Sequence, residues 1–352
     1  MIFDEIDTPG VLVDLDKAEA NIRAFQSYAD SHGLKVRPHI KTHKLPMIAA
    51  YQVAEGAVGI TCQKVSEAEA MIAGGGVSDV MLTYNIIGER KLRRLRTLSE
   101  TVRLSVVADN ADVARGLSAA FEDAARPLDV LVECNTGADR CGVGTPEAAT
   151  ELAREIETLP GIRFAGLMTY PPSGKPQAVA AWLGRAKELI EAAGIAVPVI
   201  SSGGSPDMWN AHEMPLATEY RIGTYAYNDG FLVGQGTCTW DDCALTVLAT
   251  VVSVPAGNRA VIDAGSKVLT SDLLGLTGHG HVLGRPDLMI DRLSEEHGRI
   301  VSEGPIGLSV GERVRIVPNH ACVVSNMLDQ VELVRGEEYL GPTPVVARGK
   351  VW

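Results

Sequence analysis

The chain has 352 residues, of which 46% are hydrophobic and 22% charged, and it carries a net charge of −12. These apolar residues are enough to bury a large core, which excludes intrinsic disorder, and the length suits two domains or one barrel-sized domain with an addition. A pI of about 5.2 excludes the basic face expected of a nucleic-acid-binding protein.

No apolar stretch approaches the roughly 20 residues that span a bilayer, and the acidic start of the chain does not resemble a signal peptide. None of the six cysteines forms a CxxC pair. We therefore expect a cytoplasmic protein with mostly buried, inert thiols, and neither a membrane nor a nucleic acid as its partner.

Helix-period stretches alternate with short β-branched runs from about residue 20 to about residue 230. The predicted strands are 33–37, 77–82, 104–107, 128–132, 164–168 and 197–200, and the predicted helices include 66–73, 146–158 and 177–193. This alternation predicts a parallel α/β fold, and about seven or eight units indicate a (β/α)8 TIM-like barrel. An open doubly wound sheet is the alternative, although no GxGxxG follows the first strand.

The pattern changes after about residue 240, where β-rich runs at 244–254, 259–263 and 312–317 are divided by Gly, Pro and Asn. This pattern predicts a C-terminal antiparallel β domain. A further strand at 10–14 precedes the barrel and is compatible with joining it. We expect the barrel to occupy residues 15–238, and the β domain to combine 1–14 with 239–352.

The first candidate site motif is Arg37-Pro38-His39-Ile40-Lys41-Thr42-His43-Lys44, at the end of the first barrel strand. Chemistry in such barrels is built at the carboxyl ends of the strands. An amine that loses solvation there becomes nucleophilic and suits an imine with an aldehyde cofactor. The competing interpretation is a solvated basic loop, which the two histidines flanking Lys41 make less favourable.

The second motif is Ser201-Ser202-Gly203-Gly204-Ser205, directly after an apolar run. Small residues after a strand let backbone amides converge on an anion such as a phosphate. Arg221-Ile222-Gly223-Thr224-Tyr225 offers a second phosphate arm. An ordinary strand-end turn explains either segment equally well.

The third motif is Pro318-Asn319-His320-Ala321-Cys322, at the end of a β run. Residues two apart in an extended segment face the same side, so His320 and Cys322 could hold one metal. Imidazole with thiolate suits Zn²⁺ best. A buried cysteine beside a satisfied histidine is the alternative.

Together these motifs resemble the fold-type III pyridoxal-phosphate enzymes of the D-threonine aldolase and D-serine dehydratase family. The resemblance covers nearly the whole chain. Its carriers are 7–10 (DTPG), the motif at 37–44, 263–267 (DAGSK), 294–298 (SEEHG) and the motif at 318–322.

The resemblance implies a barrel that binds pyridoxal 5'-phosphate (PLP), with a β domain completing the site. Lys41 matches the family's Schiff-base lysine, and His320 with Cys322 matches its metal pair, with Zn²⁺, Mn²⁺ or Mg²⁺ as the ion. The other matching positions are Arg140 near the cofactor ring, Tyr170 at the barrel rim, and the phosphate cradle of Ser202, Gly203, Gly204, Gly223, Thr224 and Tyr225.

Two reactions of D-3-hydroxy amino acids are open under this resemblance. Retro-aldol cleavage of a D-threonine-type substrate gives glycine and an aldehyde, whereas elimination, as in a D-serine or D-3-hydroxyaspartate dehydratase, gives a keto acid and ammonia. The family's aldolases tend to carry His-x-Asp as the metal pair, whereas His-x-Cys is typical of its dehydratases. The segment 169–174 lacks the histidine expected there, so His39, His43 or a metal-bound water remains as the base. We place the aldolase first.

An amino-acid racemase is the nearest enzyme alternative, and it needs acid/base groups on both faces of the alpha carbon but no metal. A non-catalytic cofactor carrier would consist of the barrel alone, and a dinucleotide-dependent enzyme lacks its glycine fingerprint. The resemblance also implies a homodimer.

Overall fold

A computed structural model describes residues 3–352, which form two compact units. The barrel unit comprises 25–41, 46–223 and 350–352, and the β unit comprises 3–24, 42–45 and 224–349. The domain boundaries predicted at residues 14 and 238 stay a prediction; the compact units divide the chain at 24 and 223 and assign 42–45 to the β unit.

Eight parallel strands form the sheet of the barrel unit, in the order β2-β9-β8-β7-β6-β5-β4-β3. They are β2 (Lys35–Val36), β3 (Ile60–Cys62), β4 (Asp79–Leu82), β5 (Arg103–Ala108), β6 (Leu128–Cys134), β7 (Ile162–Thr169), β8 (Val199–Ser202) and β9 (Glu219–Tyr220). Past the end of β2, His39 bridges to Thr61 of β3 and the Thr61 N–H donates to Pro38 O at 2.7 Å, which joins the two edges. The predicted TIM-like barrel is thus confirmed, and the open doubly wound alternative is wrong.

Helices alternate with these strands, as the sequence pattern predicts. They are α1 (Leu15–Ser31), α2 (Pro46–Ala54), α3 (Val65–Ala73), α4 (Glu89–Thr101), α5 (Ala111–Phe121), α6 (Pro146–Thr158) and α7 (Pro176–Ala192). Local signals set the start of α6, because the Thr145 hydroxyl accepts from the Ala148 N–H at 3.1 Å and Pro146 occupies the first turn, where no N–H is needed.

The β unit contains a nine-stranded sheet and three short helices. Its strands are β1 (Gly10–Asp14), β10 (Leu245–Ala256), β11 (Arg259–Ile262), β12 (His281–Val282), β13 (Met289–Leu293), β14 (Gly298–Val301), β15 (Arg313–Val317), β16 (Gln330–Arg335) and β17 (Glu338–Pro344); its helices are α8 (Gly230–Gly234), α9 (Ser266–Leu269) and α10 (Ala321–Val324). All pairings are antiparallel except that of β1 with β16.

Strand β1 lies in this sheet, paired with β10 and β16, so the possibility that it joins the barrel is wrong. All five of its residues are buried. Leu12 packs with Leu248 of β10 and Val334 of β16 in one apolar cluster. Burial of these side chains on the pairing strands holds the amino-terminal strand in the β unit.

Candidate active site

Lys41 lies beyond the carboxyl end of β2, in the 3₁₀ turn Ile40–Thr42, and its side chain is exposed. The Lys41 backbone N–H donates to His39 Nδ1 at 3.3 Å. His39 Nε2 therefore carries the ring proton and donates to Gln63 Oε1 at 3.1 Å. Because both of its ring nitrogens are engaged, His39 supports the backbone of the lysine turn.

The second flanking histidine, His43, is fully buried in the β unit. Its Nδ1 accepts from the Leu45 N–H at 3.1 Å, and its ring lies edge-on to Tyr227 with centroids 6.3 Å apart. Lys44 is also buried. The predicted basic motif is therefore mostly interior, and the solvated-loop interpretation holds only for the side chain of Lys41.

Arg37, the first residue of the same motif, forms a buried ionic network inside the barrel unit. Its Nε donates to Glu219 at 2.9 Å and its Nη1 to Asp79 at 2.6 Å. Burial lowers the pKa of Arg37, but the two carboxylates outweigh it and leave the pKa raised. This arginine links β2, β9 and β4 and has a structural role.

The Ser-Gly turn after β8 combines a buried hydroxyl with a close backbone approach. Ser202 Oγ is buried and has no hydrogen-bond partner among residues 3–352. Gly203 has φ of +145°, and a Cβ there would lie 2.0 Å from the Arg221 carbonyl oxygen. An unpaired hydroxyl donor beside glycine backbone fits an anionic group such as a phosphate.

The predicted second phosphate arm follows β9. Gly223 ends the barrel unit, and Thr224 with Tyr225 begins a 3₁₀ turn of the β unit. Tyr225 is buried. The Thr224 hydroxyl lies 3.4 Å from Cys322 Sγ, so its side chain belongs to the predicted metal pair's surroundings.

Arg140 and Tyr170 lie together in the barrel unit, with the guanidinium 4.6 Å from the centre of the tyrosine ring. Sequence reasoning missed Glu133, whose pKa is raised by burial and by Asp109, against the opposing effects of Arg140 and Arg221. A carboxylate at the end of the buried run 128–134 was the signal that could have revealed it.

Arg221, the first residue of the predicted second phosphate arm, also belongs to this cluster. It donates from Nε to Ser201 Oγ at 2.9 Å and from Nη2 to the Thr169 carbonyl. Burial lowers its pKa to about 10. Buried beside Glu133, it contributes positive charge near the carboxyl ends of β7 and β8.

His320 and Cys322 lie at a helix start and not on a strand, because β15 ends at Val317 and His320 precedes α10. His320 itself has extended backbone, but Cys322 lies within α10, so the predicted extended run from His320 through Cys322 is wrong. The two side chains nevertheless meet, and they hydrogen-bond each other. Burial lowers the pKa of His320, but Cys322, Asp272 and Asp229 outweigh it and raise that pKa to about 9.

Hydroxyl groups surround the Cys322 sulfur inside the β unit. Thr42 Oγ1 lies 3.1 Å from Sγ, and Ser325 Oγ donates to the Thr42 carbonyl. Thr42 directly follows Lys41 in the chain. No cluster of three or more His, Cys, Asp or Glu side chains suited to a metal occurs within 3–352. The metal pair of His320 and Cys322 therefore stays a prediction.

Asp229 joins the starts of helices α8 and α10 and was also missed. Its carboxylate accepts from the Leu232 N–H at 3.1 Å and from the Ala321 N–H at 3.0 Å. Burial raises its pKa to about 6, against these hydrogen bonds. The asparagine-aspartate pair at 228–229 resembles any helix cap, so no local pattern indicated the long-range contact with Ala321.

A barrel unit of eight parallel strands with a lysine beyond the first, in one chain with a unit that contains an antiparallel sheet, defines an alanine-racemase-like protein. Residues 13–230 match the family model for the alanine racemase N-terminal domain, and residues 244–334 match the putative serine dehydratase domain. An alanine racemase from Clostridium difficile shares the fold, with a TM-score of 0.74 at 13% identity.

The D-threonine aldolase of Arthrobacter sp. is 36% identical over 94% of this chain and 89% of its own length. The crystal structure of D-threonine aldolase from Filomicrobium marinum matches with a TM-score of 0.89 and 34% identity, covering 99% of this chain and 98% of that one. The chain therefore belongs to the family that includes D-threonine aldolase, which confirms the resemblance carried by its motifs.

Structures of D-threo-3-hydroxyaspartate dehydratase also match. A His-to-Ala variant has a TM-score of 0.90 at 28% identity, covering 96% of this chain and 95% of that one, and a metal-free Cys-to-Ala variant has a TM-score of 0.87. Across residues 3–352, no helix combines the length and the apolar character that a membrane crossing requires.

Proposed function

We propose that this protein is a PLP- and metal-dependent lyase that cleaves D-threonine-type 3-hydroxy amino acids to glycine and an aldehyde. The observation that carries the proposal is the contact of Thr42 with Cys322, at 3.1 Å. It attaches the residue after the candidate cofactor lysine to the candidate metal ligand. The aldolase relatives support this reaction class.

The predicted cofactor-binding residues would hold PLP as follows. Lys41 would hold the aldehyde carbon, Ser202 Oγ and the backbone at Gly203 and Gly204 would bind the phosphate, and Gly223, Thr224 and Tyr225 would complete its cradle. Arg140, packed on Tyr170, would lie near the ring. When bound, PLP supplies an electron sink for the alpha carbon.

The metal pair would orient the substrate's β-hydroxyl. His320 and Cys322 would hold Zn²⁺, or alternatively Mn²⁺ or Mg²⁺, which supplies Lewis acidity at an oxygen. Lys41 is exposed and can exchange a proton with the substrate. His39 and His43 stay candidates for the general base, although the two engaged nitrogens of His39 favour a positioning role.

Dehydration is the second candidate, and the His-x-Cys pair favours it. The two variants of the hydroxyaspartate dehydratase alter a histidine and a cysteine two positions apart, and the cysteine variant is metal-free. His320 and Cys322 have the same spacing. In this reaction the same residues, with the cofactor and the metal, would promote loss of the hydroxyl group from the substrate and give a keto acid and ammonia.

Product analysis tests the proposal. The PLP-loaded enzyme with Zn²⁺ is incubated with D-threonine, D-serine and D-3-hydroxyaspartate. Glycine with acetaldehyde from D-threonine establishes the aldolase, whereas 2-oxobutanoate or pyruvate establishes the dehydratase. Activity that survives EDTA and yields only the L-enantiomer would replace both with a racemase.

We also propose a cytoplasmic location and a homodimeric assembly. All six cysteines are free thiols, as expected in a reducing compartment. Three of the six are buried and Cys141 is exposed, so the thiols are less uniformly buried than the sequence suggested.

A further inference from the structure

One ring nitrogen of His320 is held by a carboxylate that lies 48 residues earlier in the chain. His320 Nδ1 lies 2.6 Å from Asp272 Oδ2, and both side chains are partly buried, at 26% and 39% exposure. A carboxylate accepts hydrogen bonds, so Nδ1 donates its proton to Asp272. In the neutral imidazole the other ring nitrogen, Nε2, then keeps its lone pair.

The loop that carries Asp272 is anchored close to the metal pair at several points. It connects α9 with β12 and begins with the Asp272 N–H donating to Thr270 Oγ1 at 3.2 Å. Asn319, next to His320, donates from Nδ2 to the Gly278 carbonyl at 2.8 Å. At its far end, His281 pairs with Val317 of β15. The contacts with Asn319 and Val317 attach the loop to the segment that directly precedes His320 and so keep the carboxylate close to the histidine.

The imidazole is consequently fixed between Asp272 and Cys322. The cysteine sulfur is itself oriented by the Thr42 hydroxyl at 3.1 Å and the Thr224 hydroxyl at 3.4 Å. A metal-binding histidine commonly donates its second nitrogen to a carboxylate, which fixes the tautomer and raises the basicity of the ligand. The geometry around His320 meets this condition before any ion binds.

We propose that Asp272 is a positioning residue that presents His320 Nε2, paired with the Cys322 sulfur, to a divalent cation of the Zn²⁺ type. The inference rests on the metal pair of the proposed function and extends it to the residue that orients the pair. A simple surface ion pair would add little stability and would leave metal affinity unchanged.

Zn²⁺ affinity provides the test, measured on the full PLP-loaded chain by competition with a chromophoric chelator. We expect Asp272→Ala and Asp272→Asn to bind Zn²⁺ about 10–100-fold more weakly than the natural protein, and Asp272→Glu to recover part of the loss. The matched control is Asp287→Asn, which removes an exposed aspartate paired with Arg285. Cofactor absorbance and melting temperature are recorded for every variant.

Weaker Zn²⁺ binding with natural cofactor absorbance and melting temperature supports the positioning role. Unchanged affinity in both Asp272 variants, or an equal loss in Asp287→Asn, overturns it. If Asp272→Ala or Asp272→Asn has a lower melting temperature than the natural protein, Asp272→Glu decides. Recovery of Zn²⁺ affinity in Asp272→Glu supports the positioning role, and no recovery opposes it. If the natural protein binds no Zn²⁺, the metal site of the proposed function fails instead.

Discussion

Lys41 and Thr42 have opposite surroundings although they are neighbours in the chain. The lysine side chain is exposed, whereas the threonine is fully buried beside Cys322. The candidate cofactor anchor is therefore the chain neighbour of a residue that contacts the candidate metal ligand. Removing the Lys41 amine and removing the Cys322 thiol should nevertheless have different effects on the protein.

Lys41→Ala should abolish the yellow absorbance of the lysine-bound cofactor, because the amine that holds the aldehyde is lost. Cys322→Ala should keep the colour and lose turnover, because it removes a metal ligand but not the anchor. Absorbance spectra and product assays of the purified variants measure both effects. Colour retained in Lys41→Ala would transfer the anchoring role to Lys44.

Sequence reasoning at this scale found residue types with distinctive chemistry. The lysine between two histidines and the His-x-Cys spacing stand out locally, whereas Glu133, Asp229 and Asp272 look like ordinary acidic residues of a strand end, a cap and a loop. Their environments come from partners far along the chain, such as the 92 residues between Asp229 and Ala321.

At the scale of elements, the turn between β8 and β9 depends on one glycine. Gly203 combines φ of +145° with a Cβ position only 2.0 Å from the Arg221 carbonyl. The neighbouring Gly204 has no atom closer than 3.9 Å to its Cβ position. The two glycines therefore form a matched pair for testing backbone strain.

Gly203→Ala should destabilise the fold by roughly 2–5 kcal/mol, because it adds both backbone strain and a clash with fixed backbone. Gly204→Ala should change stability by roughly 1 kcal/mol or less. Denaturant unfolding of both variants measures the difference. Equal stabilities would show that the turn can relax, which would remove the close approach as the reason for glycine.

Strand β12 carries a histidine whose pH response has a definite sign. His281 stacks on Trp240 with ring centroids 4.0 Å apart, and burial lowers its pKa. In that case the unfolded chain binds the proton more readily than the folded chain does, so stability is lost as pH falls below the ordinary histidine range. At neutral pH the effect is absent.

Lowering the pH from about 7.5 to 5.5 should therefore reduce the melting temperature less in His281→Phe than in the natural protein. The exposed His297→Phe serves as the control for removing an imidazole elsewhere in the β unit. Thermal unfolding at several pH values measures the shift. If acid lowered the melting temperature more in His281→Phe than in the natural protein, the pKa of His281 would be raised by folding and not lowered.

Secondary structure was predictable where its signals are local. Residues 146–158 form a helix as expected because the cap and the proline are adjacent in sequence. Strands β3 and β9 were missed because they contain three and two residues, too few for a periodic pattern. Their pairing partners, which lie far away in the chain, make them strands.

For the whole molecule, the proposed homodimer requires a surface for association. Large apolar side chains are exposed on the barrel unit, among them Ile87 at 67% and Trp352 at 50%. Exposed apolar groups of this size often mark a surface for association. A homodimer is the assembly that the family resemblance implies.

Light scattering at micromolar concentration should therefore give twice the chain mass of 37.4 kDa, because association removes exposed apolar side chains from water. Ile87→Glu should shift the mass toward the monomer if Ile87 lies in the interface. A mass near 37.4 kDa for the natural protein would exclude the dimer.

The sequence by itself determined the barrel, the β-rich carboxyl half and the motifs of the family, because periodicity, turn residues and motif spacing are local properties. The tertiary structure decided that Thr42 meets Cys322 across 280 residues and that Asp272 meets His320 across 48. It also placed Cys322 in a helix, where the strand pattern pointed to extended backbone. Such contacts depend on how the elements pack, and packing is the sum of many weak burial and hydrogen-bond energies that no short stretch of sequence contains.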